Sequence, residues 1–276
     1  MTTLSALYTL LKNHCSDREA RWLLEARLSV AWHDIMNKPE YIVSEADIAQ
    51  IDKDIARIKA QEPISRIIGT REFWGLPFAL SPDTLDPRPD SEVLIEAAIT
   101  EFQHKPPQTI LDMGTGTGCL LIALLHEFKD SQGIGVDISE NACQTALKNA
   151  KLNHVDTRAQ FIRSHWFERV SGVFDCIIAN PPYIRTDVIA SLDSAVKNYD
   201  PILALDGGQD GLTPYKILFS ALSSFLAKNG RAFFEFGYDQ ADDILVLAHQ
   251  YHLTVHRVIP DYAGRTRGVV ISCGDK

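Results

Sequence analysis

Residues 176–184 read CIIANPPYI, an apolar run that stops at a side-chain amide, two prolines and a tyrosine. Strand-like Val173–Ala179 ends there, because Pro181 and Pro182 have no backbone N–H to offer a sheet. What remains is an acceptor pair without competing donors: the side-chain carbonyl of Asn180 and the backbone carbonyl of Pro181. Such a pair can take the two N–H groups of an amide or exocyclic amine, a nitrogen whose delocalised lone pair makes it a poor nucleophile. Held this way, the nitrogen is favoured in the more tetrahedral geometry that an in-line displacement requires. Tyr183 adds a flat face on which a planar amide or base can stack. No strong general base is needed, since the alkylated nitrogen sheds its proton readily while cationic. Read alone, Asn-Pro-Pro-Tyr is also an Asx-type turn closing a strand.

The second constellation is LDMGTGTGC, residues 111–119. Gly114, Gly116 and Gly118, with Thr115 and Thr117 between them, permit positive φ and bring a ligand against bare backbone. The helix that opens beyond them offers unpaired N–H groups and a partial positive charge. The spacing is G-x-G-x-G rather than the G-x-G-x-x-G of dinucleotide-binding loops, which disfavours a nicotinamide-dependent oxidoreductase. Asp112 stands before the loop, where a carboxylate would repel a pyrophosphate but suit an ammonium or sulfonium. The next strand ends in Asp137, placed to accept from both hydroxyls of a ribose. A ribose at one point and a positive charge at the other describe S-adenosylmethionine, with S-adenosylhomocysteine as the product. Asn180, on the strand expected beside the first, then falls near the methyl end of that cofactor. A tight strand-to-helix turn without a ligand is the plain alternative for the loop. No set of metal ligands is expected.

These residues need a scaffold, and the chain after Pro107 supplies one by alternation. TILDM, GIGVDI, AQFI, VFDCIIA and RAFFEF read as strands, and CLLIALLHEF, SENACQTALKNAKL, 214–227 and 240–250 as helices. Strand–helix alternation with short connections predicts a Rossmann-like, mostly parallel α/β sheet covered on both faces. HLTVHRVI and GVVISC have no helix between them and should close the sheet as an antiparallel hairpin. Before this region lie two other textures. Residues 1–62 read as a small helical domain: SDRE at 16–19 has capping-box spacing and opens a segment running to about Met36. SEAD at 44–47 starts another helix that carries Ile48, Ile51, Ile55 and Ile58 on one face and stops at Pro63. So short a module has too little chain for much core of its own and should lean on something else. Residues 63–89 read as a hairpin around FWGLPF and an irregular proline-rich connector. The main domain covers 90–276, with Asp90 or Ser91 placed to cap its first helix.

The totals exclude several classes. There are 27 basic against 36 acidic residues, a net −9, which argues against a broad phosphate-tracking surface. Five cysteines (15, 119, 143, 176, 273) show no CxxC pairing and read as small thiols in a reducing compartment. No apolar run approaches the roughly 20 residues a membrane helix needs, and the N-terminus lacks the pattern of a signal peptide. A soluble cytoplasmic protein without membrane or direct nucleic-acid contact is expected.

Taken together, PISRIIGTREFWG, DPRPDSE, LDMGTGTG, NPPYI and NYDPILALDGG resemble the bacterial release-factor glutamine methyltransferases, the PrmC/HemK family, from about residue 60 onward. The resemblance implies a class I methyltransferase fold and N5-methylation of the glutamine in the Gly-Gly-Gln loop of class 1 peptide chain release factors. It assigns Gly114 to Gly118 and Asp137 to the cofactor site and Asn180 to Tyr183 to the substrate amide. It also makes Trp166 a cofactor contact, although a core or rim aromatic is the plain reading there. The helical domain and the FWGLPF hairpin resemble the family's release-factor docking region. Met113, Asp86 and Asp200 depart from the Leu, apolar residue and Glu that the family often carries. Arg88 and Glu92 either shape the active-site mouth or serve capping and a salt bridge. The chain's own GGQ, residues 207–209, reads as a glycine turn before a helix with an incidental glutamine. The rival activity is methylation of an adenine or guanine amino group in DNA or RNA, which uses the same acceptor logic on a flipped base.

Overall fold

Hydroxyl caps start three of the helices at the N-terminal end of the chain in this computed structural model, which describes residues 2–274. Thr3 caps α1 (Leu4–Lys12), Ser16 caps α2 (Asp17–Leu28) and Ser44 caps α4 (Glu45–Lys59). At α2 the box is complete, with the Glu19 carboxylate accepting the Ser16 N–H at 2.9 Å. The segment expected to continue to Met36 breaks at Ser29, which is left-handed with φ 50°, and α3 (Trp32–Asn37) follows separately. A further helix, α5 (Ile64–Ile68), lies where the sequence reads as connector. Pro63 stands at its N-cap, where a missing N–H leaves nothing unpaired, so the proline starts a helix as well as following one.

The helical unit runs to Thr70 and includes Ser194–Tyr199, within which α9 (Ser194–Lys197) forms. It has a core of its own, contrary to the expectation from its length: Leu7, Leu23, Leu24, Ile51, Ile55 and Ile67 are buried together. α5 supplies the part that sequence reasoning missed. Arg27 on α2 pairs with the fully buried Asp54 on α4 at 2.6 Å and donates to the Ile67 carbonyl at 2.8 Å, tying three helices through one guanidinium.

The second unit comprises Arg71–Asp193 and the chain from Asp200 on. The hairpin β1 (Thr70–Phe73) and β2 (Leu76–Ala79) turns through Trp74 and Gly75, both at positive φ (53° and 68°) as a primed two-residue turn requires. After α6 (Glu92–Glu101) come β3 (Thr109–Met113), α7 (Cys119–Glu127), β4 (Gln132–Asp137) and α8 (Glu140–Leu152). Then follow β5 (Ala159–Arg163), β6 (Phe174–Ala179), α10 (Thr213–Phe225), β7 (Leu226–Glu235), α11 (Ala241–Gln250), β8 (Leu253–Pro260) and β9 (Thr266–Cys273). β7 begins at Leu226, so the expected helix over 214–227 gives way to strand two residues early.

The seven strands are ordered β5-β4-β3-β6-β7-β9-β8, parallel as far as β7, with β9 antiparallel to both its neighbours. This is the expected mostly parallel sheet with a terminal hairpin. Ile110, Cys176 and Ile178 face one apolar core while Leu111, Met113, Ile177 and Ala179 face the other, so both faces of the central strands are covered. Strand order reverses between β3 and β6, where Met113 pairs with Ala179. Gly114 and Asn180 therefore leave the sheet side by side at the switch point where open α/β sheets hold ligands. No helix among the described residues is long and apolar enough to cross a membrane.

Candidate active site

The glycine loop is stapled to the end of β4. Gly114 and Thr115 both donate to the Val136 carbonyl at 2.8 Å, and Gly116 donates to Asp137 Oδ2 at 2.9 Å. The other carboxylate oxygen of Asp137 accepts the Ser139 N–H at 2.9 Å. Gly114 and Gly116 have φ of 77° and 53°, and a Cβ on either would meet nothing within 4 Å. Their bare side opens on a cleft, whereas at Gly118 a Cβ would lie 3.1 Å from that of Ala146 on α8. Thr115 and Thr117 border the same cleft but are almost fully buried, and Thr115 Oγ1 donates to Asp112 Oδ2 at 2.6 Å.

The cleft encloses about 420 Å³ beyond the carboxyl ends of the parallel strands, within the range of cofactor pockets. Asp137, Trp166, Asn180 and Pro182 line it with Gly114 and Gly116. Trp166 sits at φ 47° at the start of a short 3-10 turn after β5, a left-handed position unusual for a bulky residue. Burial raises the Asp137 carboxyl above its ordinary range, against the N–H groups of Ser139 and Gly116 that favour its charge.

Four expected residues stand elsewhere than on the wall, and Gly118, buried against Ile122 and Ala146, is one of them. Asp112 is fully buried behind the loop, where burial pushes its carboxyl up to about 7 and Oδ1 has no hydrogen-bond partner. Its hydrogen bond with Thr115 ties it to the loop, and it does not line the cleft. Pro181 is buried, and Tyr183 is half-buried with its ring packed against an apolar core and its hydroxyl 3.4 Å from Glu235. Burial raises the Tyr183 phenol further above its already high value, so it stays protonated.

Asn180 is held by groups that sequence reasoning missed. Its Nδ2 donates to Ser91 Oγ at 3.1 Å, and Ser91 Oγ donates to Glu235 Oε2 at 2.5 Å. Ser91 stands at the N-cap of α6, as one of the two expected positions, but its side chain makes no cap bond; a 3-10 turn over Pro89–Ser91 feeds the helix. Glu235 is 1% exposed at the end of β7, and burial pushes its carboxyl up to about 7. The signal for it was a lone acid inside the apolar run AFFEF, since charged residues are almost never buried without a partner.

Neighbouring residues have defined tasks. Arg88 borders the cleft and pairs with Asp200 at 2.6 Å, while Glu92 accepts the Trp74 N–H at 2.9 Å and so fixes the hairpin turn. Asn149 on α8 donates to the Thr117 and Ala79 carbonyls at 2.9 and 3.0 Å and accepts the Ala79 N–H at 2.8 Å, tying the hairpin to the glycine loop. Gly207 and Gly208 border the cleft, but Gln209 is exposed and lies off its wall, in a turn that precedes α10.

A glycine loop stapled to an acidic strand end, one strand away from an asparagine followed by two prolines, defines a class I S-adenosylmethionine-dependent methyltransferase. Residues 71–197 match the methyltransferase small domain and residues 7–69 the PrmC N-terminal domain. The fold is shared with the catalytic domain of hMettl16 in complex with MAT2A 3'UTR hairpin 6, at TM-score 0.61 and 16% identity, covering 77% of this chain and 82% of that one. The release factor glutamine methyltransferase of Agrobacterium fabrum is 44% identical over 255 residues, 89% of this chain and 88% of the relative. That of Rhodospirillum rubrum is 40% identical over 250 residues, 91% and 77% of the two chains. The chain belongs to the release factor glutamine methyltransferase family.

Proposed function

We propose that this enzyme transfers the methyl group of S-adenosylmethionine to the side-chain amide nitrogen of the glutamine in the Gly-Gly-Gln loop of class 1 release factors. The observation that carries the reading is the orientation of Asn180. Its Nδ2 is committed to Ser91, which leaves Oδ1 as the free end of the amide. Oδ1 and the Pro181 carbonyl each accept one N–H of the substrate amide, and its lone pair is thereby aimed at the electrophile. Pro182 and Tyr183 shape the substrate side, and the proton leaves after transfer without a dedicated base.

The residues present suit the cofactor: two glycines whose missing side chains open the cleft wall, an acidic strand end and a tryptophan lining the same cleft. When bound, S-adenosylmethionine supplies the methyl electrophile. Asp137 accepts from the ribose hydroxyls, Gly114, Gly116 and Gly118 with Thr115 and Thr117 present backbone, and Trp166 packs on the nucleoside. Asp112 holds the loop from behind. The helical domain and the β1–β2 hairpin serve to dock the release factor, in the cytoplasm where translation ends. A net charge of −9 speaks against nucleic acid as the acceptor.

Transfer of a labelled methyl group to a purified release factor tests this. Label should vanish with Gln→Ala in the Gly-Gly-Gln loop and with Asn180→Ala in the enzyme. Label on DNA or RNA in place of the factor would sink the substrate assignment and favour the amino-methyltransferase reading.

A further inference from the structure

We propose that Ser91 and Glu235 are positioning residues that fix which end of the Asn180 amide faces the substrate, with the charge on Glu235 setting the direction of the hydrogen bonds. The inference rests on the acceptor role given to Asn180 above. An amide side chain has a donor end and an acceptor end that exchange places on a half-turn about its last torsion. With Oδ1 toward the substrate, both partners of the transfer are complementary. With Nδ2 there, two sets of N–H groups oppose each other and the clamp is lost.

A serine hydroxyl has a single proton. Here Ser91 gives it to Glu235 Oε2 at 2.5 Å, so toward Asn180 the oxygen can only accept. It meets Nδ2 at 3.1 Å, and only one amide orientation satisfies it. Glu235 is an acceptor on both oxygens, since the Tyr183 hydroxyl approaches Oε1 at 3.4 Å. A protonated Glu235 reverses the chain. It donates to Ser91, the serine proton is released toward Asn180, and Oδ1 turns inward to receive it, leaving an N–H pair in the cleft.

The surroundings place this reversal within reach of ordinary pH. Burial is the largest influence on Glu235 and raises its carboxyl to about 7, the Ser91 hydrogen bond and the Arg267 cation work the other way, and Asp90 raises it further. Arg267 on β9 is shared with Asp261 and Asp90, at 3.2 and 3.5 Å. From α10, the Tyr215 hydroxyl donates to the Glu235 backbone carbonyl at 2.5 Å and stays protonated. Cys119 on α7, itself half-buried and protonated, lies within the fields of both Glu235 and Asp112. The Arg88 cation acts on the neighbouring Tyr183.

The test compares Ser91→Ala, Ser91→Thr and Glu235→Gln in the full chain, using labelled-methyl transfer to a release factor and equilibrium binding of S-adenosylhomocysteine. Ser91→Ala should lower kcat on the order of 10²-fold, since a misplaced reacting group costs about that. KM for the factor and cofactor affinity should stay within about threefold, because the lost interaction acts mainly in the transition state. Ser91→Thr keeps the hydroxyl and should restore most of kcat. In the wild type, kcat should fall as pH drops through about 7, and in Glu235→Gln that acid limb should disappear. Should Ser91→Ala fail to bind cofactor, the Glu235→Gln profile decides alone. An unimpaired Ser91→Ala, a Ser91→Thr as damaged as the alanine variant, or an acid limb that persists in Glu235→Gln overturns the relay. A wild type that leaves the factor's glutamine unlabelled overturns the proposed function itself, so the two failures are distinct.

Discussion

The carboxylate of Asp137 accepts the backbone N–H of Gly116 at 2.9 Å, which ties the end of one strand to the middle of the loop that follows its neighbour. Its second oxygen holds Ser139, so the side chain has a structural task before any ligand arrives. Asn in its place has one oxygen for two N–H groups and sets an NH₂ against the other. Asp137→Asn should weaken cofactor binding about 10- to 100-fold, the value of one or two hydrogen bonds to a charged group. Calorimetric titration with S-adenosylhomocysteine checks it, and a change under about threefold would remove Asp137 from the binding site.

The loop glycines should separate into two kinds. Gly114→Ala adds a methyl group where nothing lies within 4 Å, at φ 77°, so the cost to the fold is backbone strain alone, about 1–2 kcal/mol. The added methyl group faces the cleft and should reduce cofactor affinity more than stability. Gly118→Ala carries the same strain at φ 80° and adds contacts of 3.0 and 3.1 Å to Ile122 and Ala146. It should lower Tm clearly further than Gly114→Ala. Paired melting and binding curves decide, and equal melting losses would contradict the packing argument.

Asp112 should leave a mark on stability as a function of pH. Its folded carboxyl sits near 7, raised by burial from an ordinary 3.8. Between those values the unfolded chain is ionised while the folded one keeps its proton. The contribution is therefore fully present below the ordinary value, declines as pH rises, and is gone above about 7. Glu235 acts in the same direction. Asp112→Asn keeps an acceptor for Thr115 and has no proton to lose. Urea midpoints at pH 5 and pH 8 (values chosen to bracket this window) should fall further for the wild type than for Asp112→Asn. Equal falls would mean the buried carboxyl is not protonated in the native state.

Asn149 joins α8 to both the hairpin and the glycine loop, using both donor hydrogens and its oxygen. Asn149→Asp puts a carboxylate against two carbonyls in a fully buried place, so it should destabilise more than Asn149→Ala. The alanine itself should cost about 1–3 kcal/mol for the groups it leaves unpaired. Amide exchange at Ala79 should quicken in both variants. Unchanged exchange there would show that the hairpin is held by its apolar contacts alone.

Much of this molecule was determined by local sequence. The alternation after Pro107 encodes burial on two faces, so the parallel sheet and its terminal hairpin were readable, as were the glycine turn, the acid ending β4 and the stop at Asn180. Each depends on residues within a few positions of one another, where backbone sterics and missing N–H groups act directly. α5 was obscured because Pro63 reads equally as a stop and as a helix start. What only the tertiary structure decided are pairings across distance. Ser91 meets Glu235 from 144 positions away and Asn180 from 89, and Asn149 reaches Ala79 across 70. The place of Asp112, fully buried and off the cleft wall, is likewise a matter of packing. Spacing fixes direction along a helix or strand, but a hydrogen bond between distant side chains depends on how whole elements pack. For that reason the strand end at Asn180 could be read from sequence, while its bond to Ser91 and the Glu235 beyond it could not.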